Sequence, residues 1–123
     1  MANEPLGILL ISGGHERAHY AFVIASAAAA VGRRVVVFAT NQGCRALLAD
    51  LSAFDAEDAA IEARGVATFA ELREAAQALD VRMMVCQAGL RSAGIAESLL
   101  DGVEIAGVVS FLEAVGDGQM LTL

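Results

Sequence analysis

Lysine is missing from this 123-residue chain: its eight basic residues are all arginines. That excludes a P-loop lysine, a Schiff-base lysine and a lysine general base, and with them several large enzyme classes. Tryptophan is also absent, and there are only two cysteines, two histidines and one proline. Positive charge is scarce as well, since 15 acidic residues outnumber the arginines and leave a formal net charge of -7. Such a balance repels phosphate backbones and anionic headgroups, so nucleic acid is not an expected partner. Long apolar runs are missing too. The longest stretch without a formal charge, Ala18 to Gly32, contains His19, Tyr20 and Ser26 and falls short of the roughly 20 apolar residues of a membrane span.

What the chain has in excess is apolar content. Hydrophobic residues make up 57% of it without counting its 12 glycines, against roughly 45 to 50% with glycine included in ordinary soluble domains. Without a membrane span, subunit interfaces are the expected sink, so a homo-oligomer is predicted. The length suits a single domain over residues 1–123. Met1 to Pro5 carries no cation and so lacks the basic opening of a secretory leader. A cytoplasmic location follows as the expectation, and there Cys44 and Cys86 are read as thiols rather than as a bridge.

Strands and helices alternate along the sequence. Leu6–Ile11 is an uncharged run ending in Ser12-Gly13-Gly14, as a strand buried on both faces would. The alanine-rich His15–Val31 reads as a helix stopped at Gly32. Val35–Ala39 reads as a strand, with a short helix over Arg45–Leu48. Five acids between Asp50 and Glu62 (Asp50, Asp55, Glu57, Asp58 and Glu62) read as a solvated helical or mobile insertion. Thr68 and Glu71 form a capping-box pattern ahead of a helix carrying Phe69, Leu72, Ala75, Ala76 and Leu79. Val81–Cys86 is a third strand, followed by a glycine-containing segment to Gly94 and a helical Ile95–Leu100. Val103–Val109 and Met120–Leu123 complete about five strands. The pattern predicts an α/β three-layer sandwich around a mostly parallel sheet, flavodoxin-like, with sites at the carboxyl ends of the strands.

Cys86 is placed at such an end, ahead of a helix start where free N–H groups and the helix dipole favour a thiolate, with Gln87, Arg82 and Arg91 nearby in sequence. It is equally a small buried hydrophobe on position alone. Cys44 follows Gly43 after the second strand and repeats the argument more weakly. In a flavodoxin-like 2-1-3 order the two thiols stand roughly 10 Å apart, too far for a disulfide without loop movement. That order also makes the first strand a neighbour of the third, bringing His15 or His19 within reach of Cys86 as a base or hydrogen-bond partner. His15-Glu16-Arg17-Ala18-His19 is a literal H-E-x-x-H, the zinc-hydrolase pattern. It begins directly after Gly14 and no further histidine follows, so it is read as a loop histidine and a helix-face histidine rather than as a metal site. Gly13-Gly14 has the spacing of neither a dinucleotide fingerprint nor a P-loop.

Several runs resemble one family. Glu16-Arg17-Ala18-His19-Tyr20-Ala21 with Ala25 and Ala29, then Gly32 to Phe38 and Gly43, is similar to the opening half of the DsrE/DsrF/TusD-like sulfur-relay superfamily. Phe69-Ala70-Glu71-Leu72, Val81 to Gln87, Gly94-Ile95, Gly102-Val103-Glu104 and Gly107-Val108 resemble its stand-alone DsrE-like branch. The resemblance implies that Cys86 accepts sulfane sulfur as a persulfide and passes it to another protein's thiol, with no cofactor and no metal. It also implies donor and acceptor proteins as partners and trimeric or hexameric assembly, for which the alanines of the first helix offer close packing. His15, His19, Arg91, Gln87 and Cys44 are the candidates for supporting roles. Where stand-alone relatives carry a Ser-Met pair shortly after the cysteine, this chain has Ala88-Gly89-Leu90. The rival expectation is a non-catalytic oligomeric subunit of the same fold that binds a small ligand or a protein segment.

Overall fold

The structure is a computed structural model and describes residues 4–123; Met1 to Asn3, part of the stretch read above for a leader, lie outside it. Five strands, β1 (Leu6–Leu10), β2 (Val35–Ala39), β3 (Arg82–Cys86), β4 (Glu104–Ala106) and β5 (Gln119–Thr122), form one parallel sheet in the order β4-β3-β2-β1-β5. The α/β sandwich with about five parallel strands is thus found, but not the 2-1-3 order. Right-handed crossovers allow either order; here the chain continues past β2 to β3 instead of returning to the other side of β1, and handedness then sets which face each helix covers. From β1 to β4 the chain steps across the sheet in one direction, so right-handed connections put α1 (His15–Ala30) and α3 (Phe69–Ala78) on the same face. The return from β4 to β5 runs the other way and carries α5 (Val108–Val115) over the opposite face.

The first face is thickly covered. Leu6, Ile8 and Leu10 of β1, Val35, Val37 and Ala39 of β2, and Met83 and Val85 of β3 all point into it, against Ala18, Phe22 and Ala25 of α1 and Phe69 and Ala76 of α3. Of the first helix's alanines, Ala18, Ala21, Ala25 and Ala28 are buried inside the chain's own core, while Ala27 and Ala30 are exposed. The small size of the buried alanines lets α1 lie close to both sheet and α3, and Phe22 meets Phe69 edge to face at 5.2 Å. The capping box at α3 is complete: Glu71 N–H donates to Thr68 Oγ1 at 3.1 Å and Thr68 N–H to Glu71 Oε1 at 2.9 Å.

The opposite face rests on α5 alone, with Phe111 stacked on Phe38 at 4.9 Å and Val115 beside it. Gly7 permits this approach, because a Cβ there would collide with Val115 and crowd Phe111.

Two connections differ from the sequence expectation. After Cys86 the helix comes at once, as α4 (Gln87–Ala93), and Gly94 ends it in the left-handed conformation at φ 67. Residues 95–100 are not helical; Leu99 bridges Leu48, and Leu100 N–H donates to the Leu47 carbonyl at 2.9 Å. After β2 the chain winds directly into a 3-10 helix, Asn41–Leu47, opened by Asn41 at φ 53.

The acidic insertion is ordered as a short 3-10 turn, Ser52–Phe54, and α2 (Asp55–Glu62), and one of its acids, Asp58, is buried. None of the helices among the described residues is long and apolar enough to cross a membrane.

Candidate functional site

Cys86 ends β3 and serves as the N-cap of α4, half-buried, with its Sγ accepting a hydrogen bond from Gly89 N–H at 3.4 Å. The turn that makes this geometry depends on Gly89. A Cβ at that position would collide with Thr40 Oγ1 and with the backbone N of Asn41, so only glycine lets the first turn of α4 press onto the end of β2. On the other side, Cys86 is the register partner of Ala106, the last residue of β4. The thiol therefore sits where the carboxyl ends of β2, β3 and β4 meet and where α4 begins, with α5 starting two residues after Ala106. Gln87 and Arg91 lie on α4 with exposed side chains, Arg91 in its last turn.

Cys44 is fully buried in the 3-10 helix that follows β2, with its Sγ 3.5 Å from the Ala39 carbonyl oxygen. Ala39 pairs with Val85, so Cys44 stands above the position next to Cys86. The expected separation by two strand spacings is thereby corrected, because β2 and β3 are direct neighbours. Burial and the nearby Cys86 sulfur push the Cys44 thiol up to about 11, against a smaller opposing pull from the backbone N–H groups of Cys86 and Cys44. At neutral pH Cys44 is a protonated thiol.

The histidines are placed elsewhere. With β2 standing between β1 and β3, the N-terminus of α1 is not beside Cys86. His15 is buried and its Nε2 pairs with Asp58 Oδ1 at 2.6 Å; His19 Nε2 meets the Ala67 carbonyl at 2.8 Å, and the two rings stack at 5.6 Å. Asp58 also accepts from Phe69 N–H at 2.8 Å and Ala70 N–H at 3.2 Å, capping the start of α3. Burial works to raise the Asp58 carboxyl, but the bonds from His15, Phe69 and Ala70 outweigh it and hold it below the usual carboxylate range. The H-E-x-x-H pattern thus supplies a structural tie between α1, α2 and α3. Among the described residues no three His, Cys, Asp or Glu side chains gather as a ligand set.

Two arginines also depart from simple sequence reading. Arg82 begins β3, at the far end from Cys86, and forms a two-bond pair with Glu104 of β4 at 2.6 and 3.0 Å, so it does not act on the thiol. Arg73, in the middle of α3, is buried and donates to the carbonyls of Ala46 at 3.0 Å and Leu48 at 2.6 Å, closing the end of the 3-10 helix that holds Cys44. Its sequence context, Glu71-Leu72-Arg73-Glu74, reads as solvated helix face; only the free carbonyls of a neighbouring helix end give it a role.

Solved structures share this arrangement. The crystal structure of the ychN protein from E. coli matches with a TM-score of 0.72 at 17% identity over 98% of this chain and 99% of that one. A protein of unknown function from Methanobacterium thermoautotrophicum, MTH1491, matches with a TM-score of 0.65 at 18% identity over 98% of this chain and 100% of that one. At those identities the likeness is one of fold. In sequence, the sulfur carrier protein DsrE2 of Allochromatium vinosum is 26% identical, with 98% of both chains covered. The model of the DsrE/DsrF-like family matches residues 6–123, and the chain belongs to that family.

Proposed function

We propose that the protein is a sulfur carrier which holds sulfane sulfur as a persulfide on Cys86. Family membership and the resemblance to a sulfur carrier support a sulfur-relay role. The observation that carries the assignment to Cys86 is its place: a half-buried thiol at the carboxyl end of β3, with Sγ turned onto a helix N–H. In the loading step the Cys86 thiolate attacks the outer sulfur of a donor persulfide. The Sγ–S bond forms as the donor's S–S bond breaks, and the donor leaves as a thiolate. In the unloading step an acceptor thiolate attacks that outer sulfur and Cys86 departs as thiolate. No net oxidation occurs across the cycle and no cofactor is needed.

Donor and acceptor on this reading are thiol proteins of the cytoplasm. The carrier itself assembles as a homo-oligomer, a trimer or hexamer. Val108, Val109 and Leu112 on the outer side of α5 and Met120 on β5 are exposed apolar side chains on the thinly covered side of the sheet, which supports association through that side.

The test is intact mass measurement after exposure to polysulfide. The reading expects a gain of about 32 Da that dithiothreitol removes and that Cys86→Ser abolishes. A wild-type chain that gains no sulfur from several donors would instead favour a non-catalytic binding subunit.

A further inference from the structure

We infer that Cys44 is a resolving thiol for Cys86, closing an intrachain disulfide that expels the carried sulfur as hydrosulfide when no acceptor takes it. This deepens the persulfide reading and rests on it. Three features set the two cysteines at the adjoining carboxyl ends of β2 and β3. Cys86 Sγ turns over the first turn of α4 onto Gly89 N–H, and Gly89 is pressed against Thr40 and Asn41, the residues that lead into the 3-10 helix. Cys44 is in that same helix, with its Sγ 3.5 Å from the carbonyl of Ala39, whose register partner Val85 directly precedes Cys86. The Cys44 thiol is fully buried.

The step balances without an outside oxidant, because the sulfane sulfur is itself the electron acceptor. Cys44 sulfur attacks the inner sulfur of the persulfide, Cys86 Sγ. The Sγ–Sγ bond forms, the bond from Sγ to the outer sulfur breaks, and that outer sulfur leaves with the Cys44 proton as hydrosulfide. The two cysteines are together oxidised by two electrons and the outer sulfur is reduced by two. Because burial and the Cys86 sulfur keep the Cys44 thiol protonated up to about 11, discharge is slow at neutral pH. An acceptor thiolate that docks in time wins the sulfur. Reduction by an external dithiol returns the pair to its starting state.

The experiment follows the full chain after loading with polysulfide and removal of excess donor under anaerobic conditions, by intact mass and hydrosulfide release over time. Wild type is expected to pass from a species heavier by about 32 Da to one lighter by about 2 Da than the reduced chain, releasing one hydrosulfide per disulfide. The rate is expected to rise about tenfold per pH unit between roughly 7 and 10, as the Cys44 thiolate fraction does. Both Cys44→Ser and Cys44→Ala are expected to hold the heavier species at least about tenfold longer without forming the lighter one. Decay at equal rates in wild type and both variants, with no lighter species, would overturn the resolving role and leave the carrier standing. No heavier species in any chain would remove the carrier reading and this step together. If either variant is unfolded, the wild-type lighter species, mapped to a Cys44–Cys86 peptide pair or absent, decides alone.

Discussion

The two faces of the sheet are closed in different ways. The face under α1 and α3 is sealed by the chain itself: three edge-to-face aromatic contacts run through His15, Phe54, Phe69 and Phe22, and two buried charged groups, Asp58 and Arg73, tie off helix ends. The face under α5 has Phe111 and Val115 as its buried anchors, while Val109 is 67% exposed and Val108 50%. An apolar helix that buries one side and presents valines and a leucine on the other is built for a further layer. Fold stability thus resides mainly in the first face. Cys86, at the sheet's carboxyl end, reports to both: its strand neighbour Val85 faces α1, and Cys86 itself packs beside Phe38 and Met84.

The largest effect expected from this contrast concerns Phe22. It is fully buried between β-strands and α3, so Phe22→Ala should cost about 3 to 5 kcal/mol of unfolding free energy. Leu112→Ala, on the outer side of α5, should cost less than about 1 kcal/mol in the isolated chain, because the side chain is already half in solvent. Denaturant titrations at a concentration where the protein is monomeric compare the two. Equal losses would mean that α5 is packed as tightly on both sides as α1, and the contrast would fail.

A smaller loss is expected at Asp58, which ties α1 and α2 to the start of α3. Asp58→Ala removes two backbone caps and the partner of a buried His15, and about 2 kcal/mol is expected. The pH dependence has a defined sign. The folded carboxyl lies below its unfolded value of about 3.9, so its contribution is complete above that value and is lost as pH falls through the folded one. Stability measured from pH 6 down to pH 3 should fall more steeply in wild type than in Asp58→Asn. Parallel curves would show that the carboxylate charge is not what holds the three helices together.

Much of this arrangement is legible in the sequence, and the parts that are not share a cause. The strands at Val35–Ala39 and Arg82–Cys86, the long first helix and the Thr68–Glu71 box follow from local rules: β-branched content, periodicity, and reciprocal capping within four residues. Cys86 at a strand end is readable for the same reason, and the family resemblance singles it out. Strand order is not local, because nothing within the runs says whether the chain steps on past β2 or doubles back to the other side of β1. A 2-1-3 order would set the thiols two strands apart and the histidines near Cys86; the observed order makes β2 and β3 neighbours and keeps α1's N-terminus away from Cys86. Asp58 reads as a solvated charge among its acidic neighbours and Arg73 carries no local signal; their partners, the N–H groups of Phe69 and Ala70 and the carbonyls of Ala46 and Leu48, come from elements 11 to 27 residues away. The helix after Cys86 starts one segment earlier than the sequence predicts, because Gly94 is its left-handed stop and not the lead into a later helix.

The smallest change in monomer stability and the clearest change in state are expected from α5. Val109→Glu with Leu112→Glu puts two carboxylates on side chains 67% and 48% exposed, where little packing within the chain is lost, so the unfolding free energy of the monomer should shift by less than about 1 kcal/mol. If that surface is the interface, the same two charges must be desolvated against apolar partners, a penalty of several kcal/mol across a symmetric contact, enough to shift association by orders of magnitude. Light scattering of wild type should give a multiple of the 12.7 kDa chain mass and of the double variant a single one. A monomeric wild type would remove the association reading and leave the exposed valines as a docking face for a different protein. An oligomer that survives both charges would move the interface elsewhere, and the exposed edge of β4, where Ile105 is 58% open to solvent, would be the next place to introduce a charge.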